Sequence, residues 1–211
     1  DDGLSVNVGS DQTRKPLQMI SPKPHIAAMH PFALADLSAE PGIRVISLAQ
    51  NESLAPPSPQ ALDAAKRAMN DISLYPDPDW ADLRAAIAER HGVDPARILC
   101  NAGSMDLISA LIMAYSGPGD RVLSTAHGYG YFRTSAQFVQ AEYDSAPETD
   151  LTVDVDELLS MIQPNTRIVC VANPGNPTGT RIDRAALIRL RETMPDDVIL
   201  LIDEAYAEFT D

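Results

Sequence analysis

Cysteine is scarce in this chain: two in 211 residues, Cys100 and Cys170. Each falls in an apolar run that reads as a strand, which favours buried free thiols over a disulfide framework or a thiolate metal site. The four histidines, His25, His30, His91 and His127, are scattered without the spacing of metal ligands, so no metal is expected. Basic charge is also short. With 16 Lys and Arg against 30 Asp and Glu, the net charge is -14, and a nucleic-acid or anionic-membrane surface wants the opposite sign. No apolar run approaches the roughly 20 residues of a membrane-spanning helix. Asp1-Asp2-Gly3 carries no signal-peptide pattern, and a cytoplasmic location is the default expectation. The missing initiator Met suggests a trimmed N-terminus. Lysine occurs only as Lys15, Lys23 and Lys66, all in the first third of the chain.

A hydrophobic fraction of 45% with 22% charged residues is that of an ordinary globular protein, and the length suffices for one large domain with a substantial core. Residues 1–43 are polar and proline-bearing without sustained periodicity, and read as an arm or lead-in. From 44 onward one layered unit is expected. Arg44 to Leu48 looks like a short strand. Ser58 starts a helix with Pro59 in its first turn, and Asp79 is expected to cap a second one.

Strand, turn and helix then alternate. Strands are expected at 97–100, 121–124, 167–172 and 198–202, with a weaker one near 141–143; helices are expected at 104–115, 129–139 and 154–162, and after Asp183. Such alternation argues for an α/β fold with a mostly parallel sheet. The last run, Val198-Ile199-Leu200-Leu201-Ile202, is unbroken and rich in β-branched residues, so it reads as a strand buried on both faces. It stops at Asp203.

Polar or glycine-rich turns follow four expected strands: Asn101-Ala102-Gly103-Ser104, His127-Gly128-Tyr129, Asn173 to Gly179, and Asp203 to Tyr206. In a parallel sheet these turns share one edge, where ligands bind. Asp203 is either the cap of a following helix or a buried carboxylate awaiting a cation. Gly103-Ser104-Met105 opens a helix whose free N–H groups suit a phosphate, although Ser104 could simply cap it. No P-loop lysine is present there, which argues against a nucleoside triphosphate. Gly128-Tyr-Gly130-Tyr-Phe-Arg133 fails the dinucleotide fingerprint. Two prolines and two glycines make 173–179 a rigid turn that could fix the Asn176 amide as a donor, or use its asparagines for turn chemistry alone. Tyr129 offers an aromatic face beside its turn, or a core side chain.

The motif Asn173-Pro-Gly-Asn-Pro-Thr-Gly179, followed by a strand ending Asp203-Glu-Ala-Tyr206, resembles the fold-type-I pyridoxal-phosphate aminotransferases of class I/II. Leu74-Tyr75-Pro76-Asp77-Pro78 and Asn101-Ala-Gly-Ser104 make the chain similar to the histidinol-phosphate aminotransferases in particular. The resemblance implies a three-layer α/β/α large domain with a mostly parallel sheet, of which 44–211 would be the N-terminal part. It also implies pyridoxal 5'-phosphate as cofactor, an amino donor with a keto or aldehyde acceptor as substrates, and a homodimer. By family pattern, Asp203 pairs with the protonated pyridine nitrogen, Asn176 and Tyr206 hydrogen-bond the ring 3-oxygen, and Tyr129 stacks on the ring. The backbone at Gly103, Ser104 and Met105 receives the phosphate, and Tyr75 reaches the phosphate in the partner subunit. Asn51 is assigned to substrate.

Three departures accompany the resemblance. Asn51-Glu52-Ser53-Leu54 stands where these relatives carry Asn-Glu-Asn-Pro, Met105 where an Asp is usual, and His127 where a Pro is usual. No lysine aligns with the Schiff-base lysine, which is expected downstream of Asp211. Two other functions share the motifs: a decarboxylase or lyase with the same cofactor, and a non-catalytic aminotransferase-like regulatory domain, although 1–42 is too short and insufficiently basic for a DNA-binding module.

Overall fold

The computed structural model describes residues 20–29, 38, 41–53 and 55–210. Most of the lead-in, including Lys15 and His30, lies outside the described residues, as do Leu54 and Asp211; within it, α1 forms over Pro24–Ala27. Next come α2 (Pro59–Ala68), α3 (Ala81–His91), α4 (Ser104–Tyr115), β1 (Arg121–Thr125), α5 (Gly130–Phe138) and β2 (Glu142–Ala146). The order continues with β3 (Glu148–Thr149), β4 (Thr152–Val153), α6 (Val155–Ser160), β5 (Thr166–Ala172), α7 (Arg184–Thr193) and β6 (Ile199–Asp203).

Four strands form one sheet in the order β2-β1-β5-β6, and every pair is parallel. Side chains alternate across it, so each strand feeds two cores. Val122, Ile168 and Cys170 pack with Ile108 and Ile112 of α4 and with Phe132 and Ala136 of α5. Leu123, Val169 and Val171 pack on the other side with Val155 and Leu158 of α6, Leu190 of α7 and Met194. Helices thus cover both faces, giving the three layers expected. Because the strands run in one direction, Thr125, Ala146, Ala172 and Asp203 lie along a single edge; Thr125 is in register with Ala146, and Ala172 with Asp203.

Capping explains several helix starts. Ser58 accepts a hydrogen bond from the Ala61 N–H, Asp183 from Ala186, and Asp154 from Asp156 and Glu157. α3 departs from expectation. Its Ncap is Trp80 in the left-handed region (φ 47°), and the carboxylate that receives backbone N–H groups is Asp77, from Asp79 at 3.0 Å and Ala81 at 2.7 Å. Those two bonds hold the Asp77 carboxyl below its ordinary value, the Ala81 bond contributing most.

Other expectations need correction. Residues 44–48 and 97–100 form no strand, Arg97 ending a short helical turn instead, and Cys100 is only half-buried; apolar content made both stretches capable of pairing, but neither finds a partner among the described strands. α4 is not buried all round: Ile108 and Ile112 reach the core while Met113 and Tyr115 are 67% and 58% exposed. Among the described residues β6 is the edge of the sheet, paired only with β5, and no residue along it is fully buried. The acidic connection after β2 contains the antiparallel hairpin β3–β4, which the sequence pattern had not suggested. Its two linking residues, Asp150 and Leu151, both have positive φ (51° and 60°). This is the φ pattern of a type I′ turn, made without the customary glycine.

Phe132 is fully buried between α4, α5 and the sheet. Phe132→Ala should therefore lower stability by about 3–5 kcal/mol in chemical denaturation; a shift below ~1 kcal/mol would show that this core is not continuous.

Candidate active site

Of the expected site residues, Ser104, Asp203, Asn51, Asn176 and Tyr206 line two hollows at the C-terminal edge of the sheet, and Gly103, Met105, Tyr129 and Tyr75 line neither. One is a cavity of about 430 Å³ lined by Ser104, Leu107, Ile108 and Leu111 of α4 and by Leu201 to Ala205 of β6 and its turn. It places Asp203 and the start of α4 on the same space. The other, about 590 Å³, is lined by Asn51, Glu52, Ser53, the loop from Pro174 to Gly179, Tyr206 and Phe209. Asn51, Asn176 and Tyr206 meet there.

Asp203 is half-buried at the last position of β6. Burial pushes its carboxyl above the ordinary carboxylate range, and one backbone bond, from the Ala205 N–H at 3.2 Å, opposes that rise. The carboxylate caps no helix, since the short one that follows, Ala207–Phe209, starts from Tyr206 without a side-chain cap. Its one bond closes the turn after β6, and it still has acceptor capacity for a cation or donor.

At the opposite wall, α4 begins with Gly103 as Ncap, at φ 92°, where a side chain would strain the backbone. Ser104 is the first helical residue and does not cap; no side chain satisfies the first-turn N–H groups. Those donors and the positive end of the helix suit an anion. Met105 lies in the same turn, half-buried, and does not line the cavity.

Tyr129 is half-buried, edge-on to Phe132 with ring centroids 5.6 Å apart. Burial raises its hydroxyl pKa, and the negative charge of Asp203 adds to the rise, which places the two groups in electrostatic reach. Tyr206 accepts a hydrogen bond from the Asn51 amide at 2.9 Å. Asn51 is itself in the left-handed region (φ 52°), which asparagine tolerates better than most residues.

The two asparagines of the 173–179 loop have different duties. Asn173 is turn chemistry: its amide donates to the Ile182 carbonyl at 3.1 Å and its oxygen accepts the Ile182 N–H at 3.0 Å. Its backbone N–H donates to the Asp203 carbonyl at 3.0 Å, tying the loop to β6. The Asn176 side chain makes no such bond among the described residues and lines the larger of the two hollows. Tyr75 is not brought to the site; it is fully exposed (101%) and lines neither hollow. No described lysine lines either hollow, and Lys66 on α2 is paired at 3.4 Å with Asp63.

Sequence reasoning missed Glu148. Its side chain is 4% exposed, accepts the His127 backbone N–H at 3.2 Å, and meets His127 Nδ1 at 2.8 Å. Residues 21 apart with no shared motif carried no sequence signal for this pair. No group of metal-binding residues occurs among the described residues, and no described helix is long and apolar enough to cross a membrane.

The donor set fits pyridoxal 5'-phosphate on this geometry: a carboxylate with spare capacity, an uncapped helix start across a cavity from it, and an aromatic ring within its field. Comparisons point the same way. The chain matches the family described as Aminotransferase class I and II over residues 43–211. It is 42% identical over 191 residues to a histidinol-phosphate aminotransferase of Granulibacter bethesdensis, covering 90% of this chain and 51% of that protein. With the enzyme of that name from Cereibacter sphaeroides it shares 46% identity over 164 residues, 78% of this chain and 45% of the relative. Its fold superposes, at TM-score 0.74 and 28% identity, on a histidinol-phosphate aminotransferase of Sinorhizobium meliloti solved in complex with pyridoxal-5'-phosphate; that match covers 77% of this chain and 44% of the other. The chain spans about half the length of the curated relatives it matches.

Gly128 closes the turn before Tyr129, and a Cβ there would stand 2.7 Å from Ser124 Oγ and 3.0 Å from Thr125 Oγ1, both buried. Gly128→Ala should accordingly cost about 1–3 kcal/mol of stability from overpacking, read from denaturation midpoints; an unchanged midpoint would mean the turn yields freely.

Proposed function

Since the chain belongs to the class I and II aminotransferase family, we propose that it supplies the N-terminal part of the cofactor-binding domain of a pyridoxal-phosphate-dependent aminotransferase of the histidinol-phosphate type. Residues 1–43 serve as the lead-in and 44–211 as this part of the domain. The reaction moves an amino group from an amino acid to a keto or aldehyde acceptor. One observation carries the reading: half-buried Asp203 and Ser104, the first residue of α4, line a single cavity.

When bound, the cofactor supplies an electron sink for charge developing at the substrate Cα. The chain's own residues bind, orient and tune it. Asp203 holds a proton on the pyridine nitrogen, and this cationic partner answers the desolvation that raises its carboxyl. The first-turn N–H groups at Ser104 and Met105, with Gly103 holding the backbone open, receive the phosphate. Tyr129 supports the ring face, while Asn176 and Tyr206 direct donors to the 3-oxygen. Asn51, bonded to the Tyr206 hydroxyl, sits where it can orient that hydroxyl as well as meet substrate. These residues have binding and electronic roles and no covalent one. Tyr75, exposed and lining neither hollow, fits a contact with a second copy in a homodimer. The acidic surface and the absence of a described membrane-crossing helix accord with a cytoplasmic enzyme.

The test is Asp203→Asn in the full-length protein. A carboxyl whose folded-state pKa lies above its unfolded value favours folding at low pH, and this contribution is lost as pH rises through the raised value. At neutral pH the ionised Asp203 therefore costs the cofactor-free fold some stability. Asp203→Asn should leave that fold as stable or more so while cutting turnover by orders of magnitude; unchanged turnover would refute the role of the carboxylate. Tyr75→Phe should speed cofactor loss on dialysis, followed by visible absorbance, and equal retention would remove the cross-subunit contact.

A further inference from the structure

The hairpin β3–β4 touches both sides of the candidate site. At one end Glu148, nearly inaccessible to solvent, accepts the His127 N–H at 3.2 Å and meets the His127 ring at 2.8 Å, in the turn that leads to Tyr129. Burial pushes the Glu148 carboxyl upward, yet bonds from the Thr125 hydroxyl and from His127 prevail and hold it below its ordinary value. The carboxylate is thus ionised and engaged with the end of β1 and its turn.

At the other end the Leu151 carbonyl accepts the Thr180 hydroxyl at 2.7 Å. That hydroxyl has one proton, so Thr178, 2.9 Å away, must donate to it. The Thr180 carbonyl in turn receives the Gly175 N–H at 2.8 Å, and the Gly175 carbonyl receives that of Gly179 at 2.9 Å. Asn176 hangs from this closed loop. Leu151 occupies the left-handed region at φ 60°, a conformation a leucine rarely holds unless surrounding bonds demand it.

Resting on the functional reading above, we propose that the hairpin is a strut across the cofactor site and that Glu148 is a positioning residue. Through His127 it fixes the turn carrying Tyr129, and through Leu151 and Thr180 the hairpin fixes the loop carrying Asn176. The spacing between ring-stacking and ring-oxygen contacts is set by these bonds rather than by the sheet alone, because β1 and β5 end before either contact residue.

Glu148→Gln removes one acceptor oxygen from the His127 clamp, and Thr180→Val removes the hydroxyl at the far end. Both are made in the full-length protein, with pyridoxal phosphate titrated by absorbance and bound cofactor followed by visible circular dichroism. Amide exchange at 126–129 and 173–180 is measured in the cofactor-free protein. Each variant should weaken cofactor binding roughly ten-fold, reduce the visible dichroism, and raise exchange in its own segment before cofactor is added. Affinity and dichroism equal to wild type in both variants, even with a lowered melting temperature, would overturn the strut. A wild-type protein that takes up no cofactor would overturn the functional reading beneath it; tight wild-type binding with unaltered variants overturns the strut alone.

Discussion

A carboxylate at the end of an edge strand sets the terms for the rest of this structure. Asp203 is half-buried, its pKa is raised by that burial, and it has a single backbone donor. Such a group is under-satisfied as a charge and well placed as a partner. The parallel sheet puts it at the same edge as the turns after β1 and β5, and Ser104, the first residue of uncapped α4, lines the same cavity. A carboxylate and the first residue of a helix thus line one space of ligand size. The proposed occupant, an aromatic cation carrying an anionic tail, would meet both.

Supporting structure follows from that requirement. Asn173 holds its loop to β6 through the Asp203 carbonyl and to Ile182 through its own amide. Asn51 adopts a left-handed backbone and donates to Tyr206. The β3–β4 hairpin spans the gap between the Tyr129 turn and the Asn176 loop. Polar side chains here are engaged with backbone groups of neighbouring turns, the arrangement by which a scaffold orients residues that touch a ligand.

Much of this was legible in the sequence, for reasons specific to each element. β1, β5 and α4 are short apolar runs bounded by turn residues, and Ser58, Asp154 and Asp183 are caps of ordinary chemistry. Asp203, Ser104, Asn176 and Tyr206 could be singled out because each follows or begins such an element. Asp77 could not be distinguished from Asp79 as the cap of α3, since the choice depends on Trp80 turning left-handed. Apolar runs at 44–48 and 98–100 announced a capacity for burial without naming a partner, and none is formed among the described residues. The same ambiguity made β6 look buried on both faces, whereas no residue along it is fully buried. Hairpin β3–β4 was invisible because its strands are two residues long and its turn lacks glycine. Without the hairpin, Glu148 had no reason to stand out.

Asp203 is proposed to hold a proton on the ring nitrogen of the cofactor. Pyridoxal phosphate labelled with nitrogen-15 in the ring, bound to the full-length protein, would report this directly through its NMR chemical shift. A protonated pyridinium shift that persists from neutral to mildly alkaline pH is expected, because the ionised carboxylate stabilises the cation. A shift characteristic of the neutral pyridine at pH 7 would contradict it.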